Sequence, residues 1–123
     1  MTAFEPHKVE KPWGWEYIWA LTDAYAGKLL FIRAGQSLSL QYHERKDESW
    51  YVQEGRSTVE IGNLGQDLVE REIAPGDTFH FSPQTVHRVR AIEDTLIVEV
   101  STPELDDVVR LQDDYGREGT SEP

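Results

Sequence analysis

The chain has 123 residues, of which 38% are hydrophobic, and this length fits one domain around one core. A net charge of −11 opposes binding to nucleic-acid backbones and to anionic lipid surfaces, so neither nucleic acid nor membrane is expected as a partner. The absence of cysteine excludes disulfides, thiolate zinc sites and cysteine nucleophiles. The sequence contains neither an apolar run of about 20 residues nor a signal-peptide pattern, so we expect a cytoplasmic location.

Short segments rich in β-branched and aromatic residues follow one another along the chain, separated by Gly, Pro, Asn or Asp. The pattern predicts strands at 13–19, 28–33, 37–43, 48–53, 57–61, 68–73, 78–81, 88–92 and 96–101. Many short strands at regular spacing favour an all-β fold, either an antiparallel sandwich or a barrel.

One helix is predicted, at 103–111, near the end of the chain. Thr102 suits the N-cap, Pro103 stands at the first helical position, and acidic residues follow in the first turn. The residues beyond are small and polar and show no periodicity, so 117–123 are expected to form a disordered tail. The predicted domain therefore covers residues 1–116.

Four polar residues in the middle of the chain are spaced as a metal-ligand set. Gln41 and His43 lie two apart on a predicted strand, so their side chains point the same way. Glu48 opens the next strand after a polar turn, and His87 follows a later strand. Two imidazoles, a carboxylate and an amide oxygen suit Zn, our first choice, and also Mn, Co, Ni or Fe. We predict one divalent cation on these four residues, with one or two open positions for water or substrate.

The spacing of these residues resembles the two-part signature of the cupin family. The first part is carried by Gly35, Gln41, His43, Glu48 and Gly55. Gln41 replaces the first histidine of that part. The second part is the segment 76–87, which ends on His87 and has Ser82 and Gln84 in place of the usual Pro and Gly. The resemblance implies a single small double-stranded β-helix, the cupin or jelly-roll barrel.

A second resemblance covers nearly the whole chain. Its segments are Lys11-Pro12-Trp13-Gly14, Leu38-Ser39-Leu40-Gln41, Glu48 with Trp50, His87-Arg88, Asp107-Val108-Val109-Arg110 and Asp113-Asp114-Tyr115-Gly116-Arg117. These are similar to the C-terminal domain of type II phosphomannose isomerases, a domain often fused to a mannose-1-phosphate guanylyltransferase. That family interconverts mannose 6-phosphate and fructose 6-phosphate with a divalent metal, so the resemblance implies a sugar-phosphate aldose–ketose isomerase. No Gly-rich phosphate-binding segment follows an early strand, and guanylyl transfer is not expected.

Such an isomerase needs an electrophile on the sugar oxygens, which the metal supplies, and a base beside the carbon acid. Glu48 is the first candidate base and His80 the second, although a lone histidine of this kind is more often structural. The phosphate needs fixed cations, and the candidates are Arg88, Arg33, Lys28, Arg45 and Arg90. Arg88 is favoured as a catalytic residue because it adjoins His87, although neighbouring residues on a strand face opposite ways.

Two other functions remain open on the sequence alone. One is a metal cupin oxygenase that uses iron and dioxygen, which Gln41 mildly disfavours. The other is a non-catalytic sugar-binding or regulatory cupin, because fold and metal site do not by themselves define a reaction. The expected partners are a small-molecule sugar phosphate and a second copy of the chain. The homodimer is predicted from the exposed edges of a small barrel and from the aromatic segment 13–19.

Overall fold

The computed structural model describes residues 3–104 and 106–119, and every regular element in those two ranges is a β-strand. The strands are β1 (His7–Lys11), β2 (Gly14–Leu21), β3 (Ala26–Ile32), β4 (Leu40–His43), β5 (Glu48–Glu54), β6 (Ser57–Asn63), β7 (Val69–Ile73), β8 (Thr78–Phe81), β9 (Thr85–Ala91), β10 (Thr95–Ser101) and β11 (Val108–Gln112). Within the described residues, no helix is long and apolar enough to cross a membrane.

The strands form two antiparallel sheets that enclose the core. One sheet has six strands in the order β1-β2-β3-β10-β5-β8, and the other has five in the order β11-β4-β9-β6-β7. Strands β4 and β5 are consecutive in the chain but lie in different sheets. The turn between them therefore leads from one sheet to the other, so that His43 ends a strand of one sheet and Glu48 begins a strand of the other.

The core lies between the inward faces of the sheets. Its members with no measurable exposure are Ile32, Val52, Val59, Ile73, Val89 and Ile97. They alternate with outward residues along their strands, as the two-residue period of a β-strand requires. The all-β fold and the barrel expected from the sequence are confirmed.

The predicted C-terminal helix at 103–111 is wrong. Its second half is strand β11, which pairs with β4 and places Val108 opposite His43. Val108 and Val109 are β-branched and fit a strand, and pairing with β4 overrides the helix-start signals before them. Leu105, also assigned to the predicted helix, lies outside the described residues. Strand β1, which pairs with β2 along its edge, was absent from the predicted strands.

The segment after β11 is attached to the barrel by side chains. The Tyr115 hydroxyl donates to Gln36 Oε1 at 2.6 Å, and Ser37 Oγ donates to Asp114 Oδ2 at 2.7 Å. Arg117, at the start of the predicted tail, donates to both carboxylate oxygens of Asp113 at 2.9 Å. Residues 120–123 of that tail lie outside the described residues.

Candidate metal centre

Three of the four predicted ligands lie together inside the barrel. His43 comes from the end of β4, Glu48 from the start of β5, and His87 from β9, and all three side chains are buried. Each of the three residues offers one potential ligand atom, and these three atoms all lie within 4.8 Å of one another. His43 Nε2 is 3.7 Å from Glu48 Oε2, and His87 Nε2 is 3.1 Å from Glu48 Oε1.

The orientation of His87 leaves its Nε2 lone pair turned towards Glu48. His87 Nδ1 lies 2.9 Å from the Thr85 carbonyl oxygen, an acceptor, so Nδ1 carries the proton and donates. In the neutral ring Nε2 is then an acceptor that faces another acceptor, Glu48 Oε1. Both His43 nitrogens, Glu48 Oε1 and His87 Nε2 are buried without a hydrogen-bond partner among the described residues. Buried acceptors that converge in this way are stabilised by a cation, so the residues present fit a divalent metal.

The protonation states in the cluster also suit a cation. Burial lowers the pKa of His43 to about 4, more than the nearby Glu48 carboxylate raises it, so the imidazole is neutral at neutral pH. Burial alone raises the pKa of Glu48, but the Lys46 ammonium at 2.9 Å outweighs it and holds that pKa well below its usual range. A neutral imidazole and an ionised carboxylate are the forms that coordinate metals.

The fourth predicted ligand, Gln41, lies beside the cluster. It stands opposite His87 in the pairing of β4 with β9, is buried, and lines the same cavity as His43 and Glu48. Its Oε1 accepts a hydrogen bond from Ser39 Oγ at 2.9 Å. An amide oxygen has two acceptor positions, so this bond leaves one for a cation.

A cavity opens on the cluster and collects positive charge. The basic residues that line it are Lys11, Lys28, Lys46, Arg110 and Arg117. Of these, Lys28 was predicted from the sequence, and its ammonium is 3.5 Å from Glu16, which also lines the cavity. The pKa of Lys11 is lowered, mainly because burial disfavours its charged form. Glu48 and Glu99 line the cavity as well, so five basic and three acidic residues surround it in a chain of net charge −11.

A buried ion-pair chain, missed by the sequence analysis, joins the cluster to the cavity wall. Lys46 Nζ is 2.9 Å from Glu48 Oε2 and 3.3 Å from Glu99 Oε2. Trp50 Nε1 donates to the other Glu99 oxygen at 3.0 Å. Burial lowers the pKa of Lys46, but the carboxylates of Glu99 and Glu48 outweigh burial, so the pKa of Lys46 is raised. Burial raises the pKa of Glu99, and the Lys46 ammonium lowers it by less, so the pKa of Glu99 is raised as well. The two-residue period of β5 places Glu48 and Trp50 on one face, but Lys46 precedes the strand, so no such signal was available for it.

The other predicted catalytic residues are not among the described residues that line this cavity. His80 points outward from β8, with its side chain 60% exposed and Nε2 2.7 Å from Asp47 Oδ1. Arg88 is buried on the outer side of the five-stranded sheet, where it contacts Glu60 at 3.4 Å and Gln112 at 2.9 Å. The remaining phosphate candidates are exposed and also lie away from the cavity lining, namely Arg33, Arg45 and Arg90.

A family model for the cupin domain matches residues 28–102 of the chain, which is more than half of it. The chain belongs to the cupin family. Among solved structures, KdgF from Halomonas sp. is similar with a TM-score of 0.67 and 28% identity, over 85% of this chain and 92% of that one. The Staphylococcus aureus capsular polysaccharide assembling protein CapF has a TM-score of 0.78 at 12% identity, over 90% of this chain and 33% of that one, which shows the fold alone.

Curated relatives are similar over most of this chain. Mannose-1-phosphate guanylyltransferase ManC of Salmonella typhimurium is 32% identical over 113 residues, and the Escherichia coli mannose-1-phosphate guanylyltransferase is 33% identical over the same length. Xanthan biosynthesis protein XanB of Xanthomonas campestris is 28% identical over 118 residues. Each match covers 89% of this chain but only 23–24% of the relative, so the chain spans about a quarter of the length of these proteins.

Proposed function

We propose that the chain is a metal-dependent aldose–ketose isomerase of the mannose 6-phosphate/fructose 6-phosphate type. One observation carries the proposal. The buried His43-Glu48-His87 cluster opens on a cavity lined by five basic and three acidic residues, a basic excess in a chain of net charge −11. A metal-ligand set beside a concentration of cations suits a substrate with an oxygen-rich reacting end and an anionic group. The similarity to mannose-1-phosphate guanylyltransferases and the resemblance to type II phosphomannose isomerases favour a phosphorylated sugar.

In this proposal Gln41, His43, Glu48 and His87 hold one divalent cation, with zinc as the first choice and Mn, Co, Ni or Fe as alternatives. When bound, the cation would act as a Lewis acid on the sugar carbonyl and hydroxyl oxygens. The chain's own groups preorganise the ligands. Thr85 O orients the His87 ring, and Lys46 holds the Glu48 carboxylate.

The cavity cations are proposed to bind the phosphate. A phosphate close to −2 at neutral pH is repelled by an acidic protein unless local positive charge outweighs the overall field. Lys11, Arg110 and Arg117 come from the two ends of the chain and line the same cavity as the metal cluster, as does Lys28. We assign the phosphate to this group rather than to Arg88, which lies on the outer side of the five-stranded sheet.

A proton acceptor is also needed to move hydrogen between C1 and C2 of the sugar. Glu48, the first candidate base from the sequence, faces both histidines and contacts Lys46, so we assign it to holding the cation. Glu99 is buried at the cavity wall, where burial raises its pKa, and its Oε2 is 3.3 Å from Lys46 Nζ, so we assign it as the general base. Lys46, between the two carboxylates, is proposed to stabilise negative charge on the sugar oxygens.

The proposal is tested by coupled-assay turnover of mannose 6-phosphate to fructose 6-phosphate. Metal-stripped protein is reloaded separately with Zn, Mn, Co and Ni, beside a His43→Ala variant and a matched His80→Ala variant. We expect metal-dependent turnover that His43→Ala abolishes and His80→Ala retains, because His80 lies outside the cavity. Loss of turnover in folded, metal-loaded His80→Ala would restore His80 as the candidate base.

Other outcomes separate the alternative functions. Folded, metal-loaded protein that binds mannose 6-phosphate but shows no turnover with any ion would contradict the isomerase and favour a binding module. Turnover of a sugar that requires iron and stops without dioxygen would favour the oxygenase. Comparing aerobic with anaerobic assays on the iron-loaded protein makes that distinction.

A further inference from the structure

The turn between β4 and β5, residues 44–47, carries one side chain into the barrel. Of its four residues only Lys46 is buried, and its ammonium lies 2.9 Å from Glu48 and 3.3 Å from Glu99. The other three are exposed or half-buried. A lysine ammonium sits on a flexible four-carbon stem, so its position depends on how firmly the backbone that carries it is held. The contacts of the turn backbone therefore decide whether Lys46 can bridge the two carboxylates.

A carboxylate from a distant part of the chain holds the backbone of this turn. Asp107 Oδ2 accepts hydrogen bonds from Arg45 N–H at 2.7 Å and from Lys46 N–H at 2.9 Å, across 62 and 61 residues of sequence. Neither donor belongs to a strand. Burial raises the pKa of Asp107, but the two N–H groups outweigh burial and lower it, so the carboxylate is ionised. Hydrogen bonds to an ionised acceptor are stronger than those between neutral groups, so Asp107 anchors the turn firmly.

Asp107 itself stays outside the cavity. It is buried just before β11 and is not among the described residues that line the cavity. The far end of the turn is attached separately, because Asp47 N–H donates to Thr102 Oγ1 at 3.0 Å and Thr102 N–H donates to Asp47 O at 3.0 Å. Loss of the Asp107 carboxylate should therefore release the turn at Lys46 and leave the start of β5 in place.

We propose that Asp107 is a positioning residue, which holds the turn so that the Lys46 ammonium stays between its two carboxylate partners. This inference rests on the proposed isomerase, in which Lys46 stabilises negative charge on the sugar oxygens. Without Asp107, the turn relaxes and the strongly hydrated ammonium moves towards water. Glu48 and Glu99 then lose the cation between them, and the site is no longer preorganised for the reaction.

The contact is tested without turnover, by ¹H–¹⁵N NMR of the lysine ammonium groups in the zinc-loaded full chain. The chain has four lysines, and the signal that disappears in Lys46→Met belongs to Lys46. We expect Asp107→Ala to speed proton exchange of this ammonium with water by about 10-fold or more, because the turn opens locally. In Asp107→Asn the amide oxygen can replace Oδ2, so exchange should stay close to wild type. Asp106→Ala, at the exposed neighbour, is the matched control.

Turnover of mannose 6-phosphate measures the consequence for the reaction. Asp107→Ala should lower kcat by about 10–100-fold, the range for groups that orient a functional residue, and leave KM within about threefold. In the Lys46→Met background it should have no further effect on kcat, because Asp107 acts through Lys46. Asp107→Asn should restore most of kcat, since both hydrogen bonds end on one oxygen. Asp106→Ala should match wild type in both parameters.

Unchanged ammonium exchange in folded Asp107→Ala would overturn the proposal, and so would a loss of kcat that recurs in the Lys46→Met background. Circular dichroism melting verifies that each variant is folded. Wild-type protein gives a test that needs no variant, because the amide protons of Arg45 and Lys46 should be protected from exchange, and rapid exchange at both would overturn the proposal. Wild-type protein without turnover would contradict the isomerase alone, since the exchange measurements do not depend on turnover.

Discussion

The inside of this barrel has a polar half and an apolar half that are built from the same strands. On β9, buried His87 belongs to the candidate metal cluster, while Val89, two residues further on, belongs to the core. On β10 the corresponding pair is Glu99, in the cavity wall, and Ile97, in the core. The two-residue period keeps both members of each pair inside, and only the residue type assigns them to chemistry or to packing.

The two halves are stabilised in different ways. The apolar half gains free energy from burial and close packing. The polar half buries charges, which costs free energy unless they are paired, and Lys46 pairs with two carboxylates while His43 is kept neutral. Substitutions in the polar half should therefore change function more than stability, and substitutions in the apolar half should do the reverse.

The sharpest contrast is between His87 and Val89 on β9. We expect His87→Ala to weaken divalent-metal binding by more than about 100-fold, because even the loss of a partner that only orients a ligand weakens binding by about 10–100-fold. Val89→Ala should keep metal affinity within about threefold and lower the free energy of unfolding by about 2 kcal/mol. Calorimetric titration with Zn and Mn measures the metal affinity, and urea unfolding measures the free energy of unfolding. Equal metal affinity in both folded variants would remove His87 from the ligand set.

The second contrast is between Ile97 and Glu99 on β10. Ile97→Ala should lower the free energy of unfolding by about 2–5 kcal/mol, because it leaves a cavity in the core. Glu99→Gln keeps the side-chain shape and leaves Lys46 paired with Glu48, so its effect on unfolding should be smaller. Its kcat with mannose 6-phosphate should fall by about 100-fold or more, because it removes the proposed base. Wild-type kcat in metal-loaded Glu99→Gln would exclude Glu99 as the base.

The third prediction concerns the pH dependence of the metal-free protein. The pKa of His43 is about 4 in the folded chain against 6.5 ordinarily, so the unfolded chain binds this proton first as pH falls. The contribution of neutral His43 to the free energy of unfolding is therefore present at neutral pH. It is lost as the pH falls from about 7 to 4, which lowers the free energy of unfolding by about 3 kcal/mol in total. Urea midpoints of wild type and His43→Gln across this range isolate the contribution. Parallel curves would show that His43 does not cause the loss.

The smallest expected effect is at Ser39. Ser39→Ala removes the hydroxyl that donates to Gln41 Oε1, so metal affinity should fall by about 10-fold, the lower end of the range for groups that orient a ligand. Ser37→Ala is the control, because Ser37 is equally buried but donates to Asp114. Calorimetric titration compares the two variants. A similar loss of affinity in both would show that the effect is general to this segment.

Local pattern in the sequence was sufficient for the all-β class, and the spacing that resembles the cupin signature pointed to His43, Glu48 and His87. Strand alternation places Gln41 and His43 on one face, but it does not bring together residues from three strands of two sheets. The same rule predicted that Arg88 and His87 face opposite ways, as they do in the structure. Motif matching nevertheless favoured Arg88. The arginines that line the cavity are instead Arg110 and Arg117. Both belong to segments that matched the isomerase family, but the sequence analysis assigned them no role.

Tertiary structure decided the rest, because the decisive partners are far apart in the chain. Residues 108–112 are a strand because β4 offers them an edge, although helix-start signals precede them. Lys46, in the turn before β5, is a buried bridge because its ammonium contacts Glu99, 53 residues away on the neighbouring strand β10, at 3.3 Å.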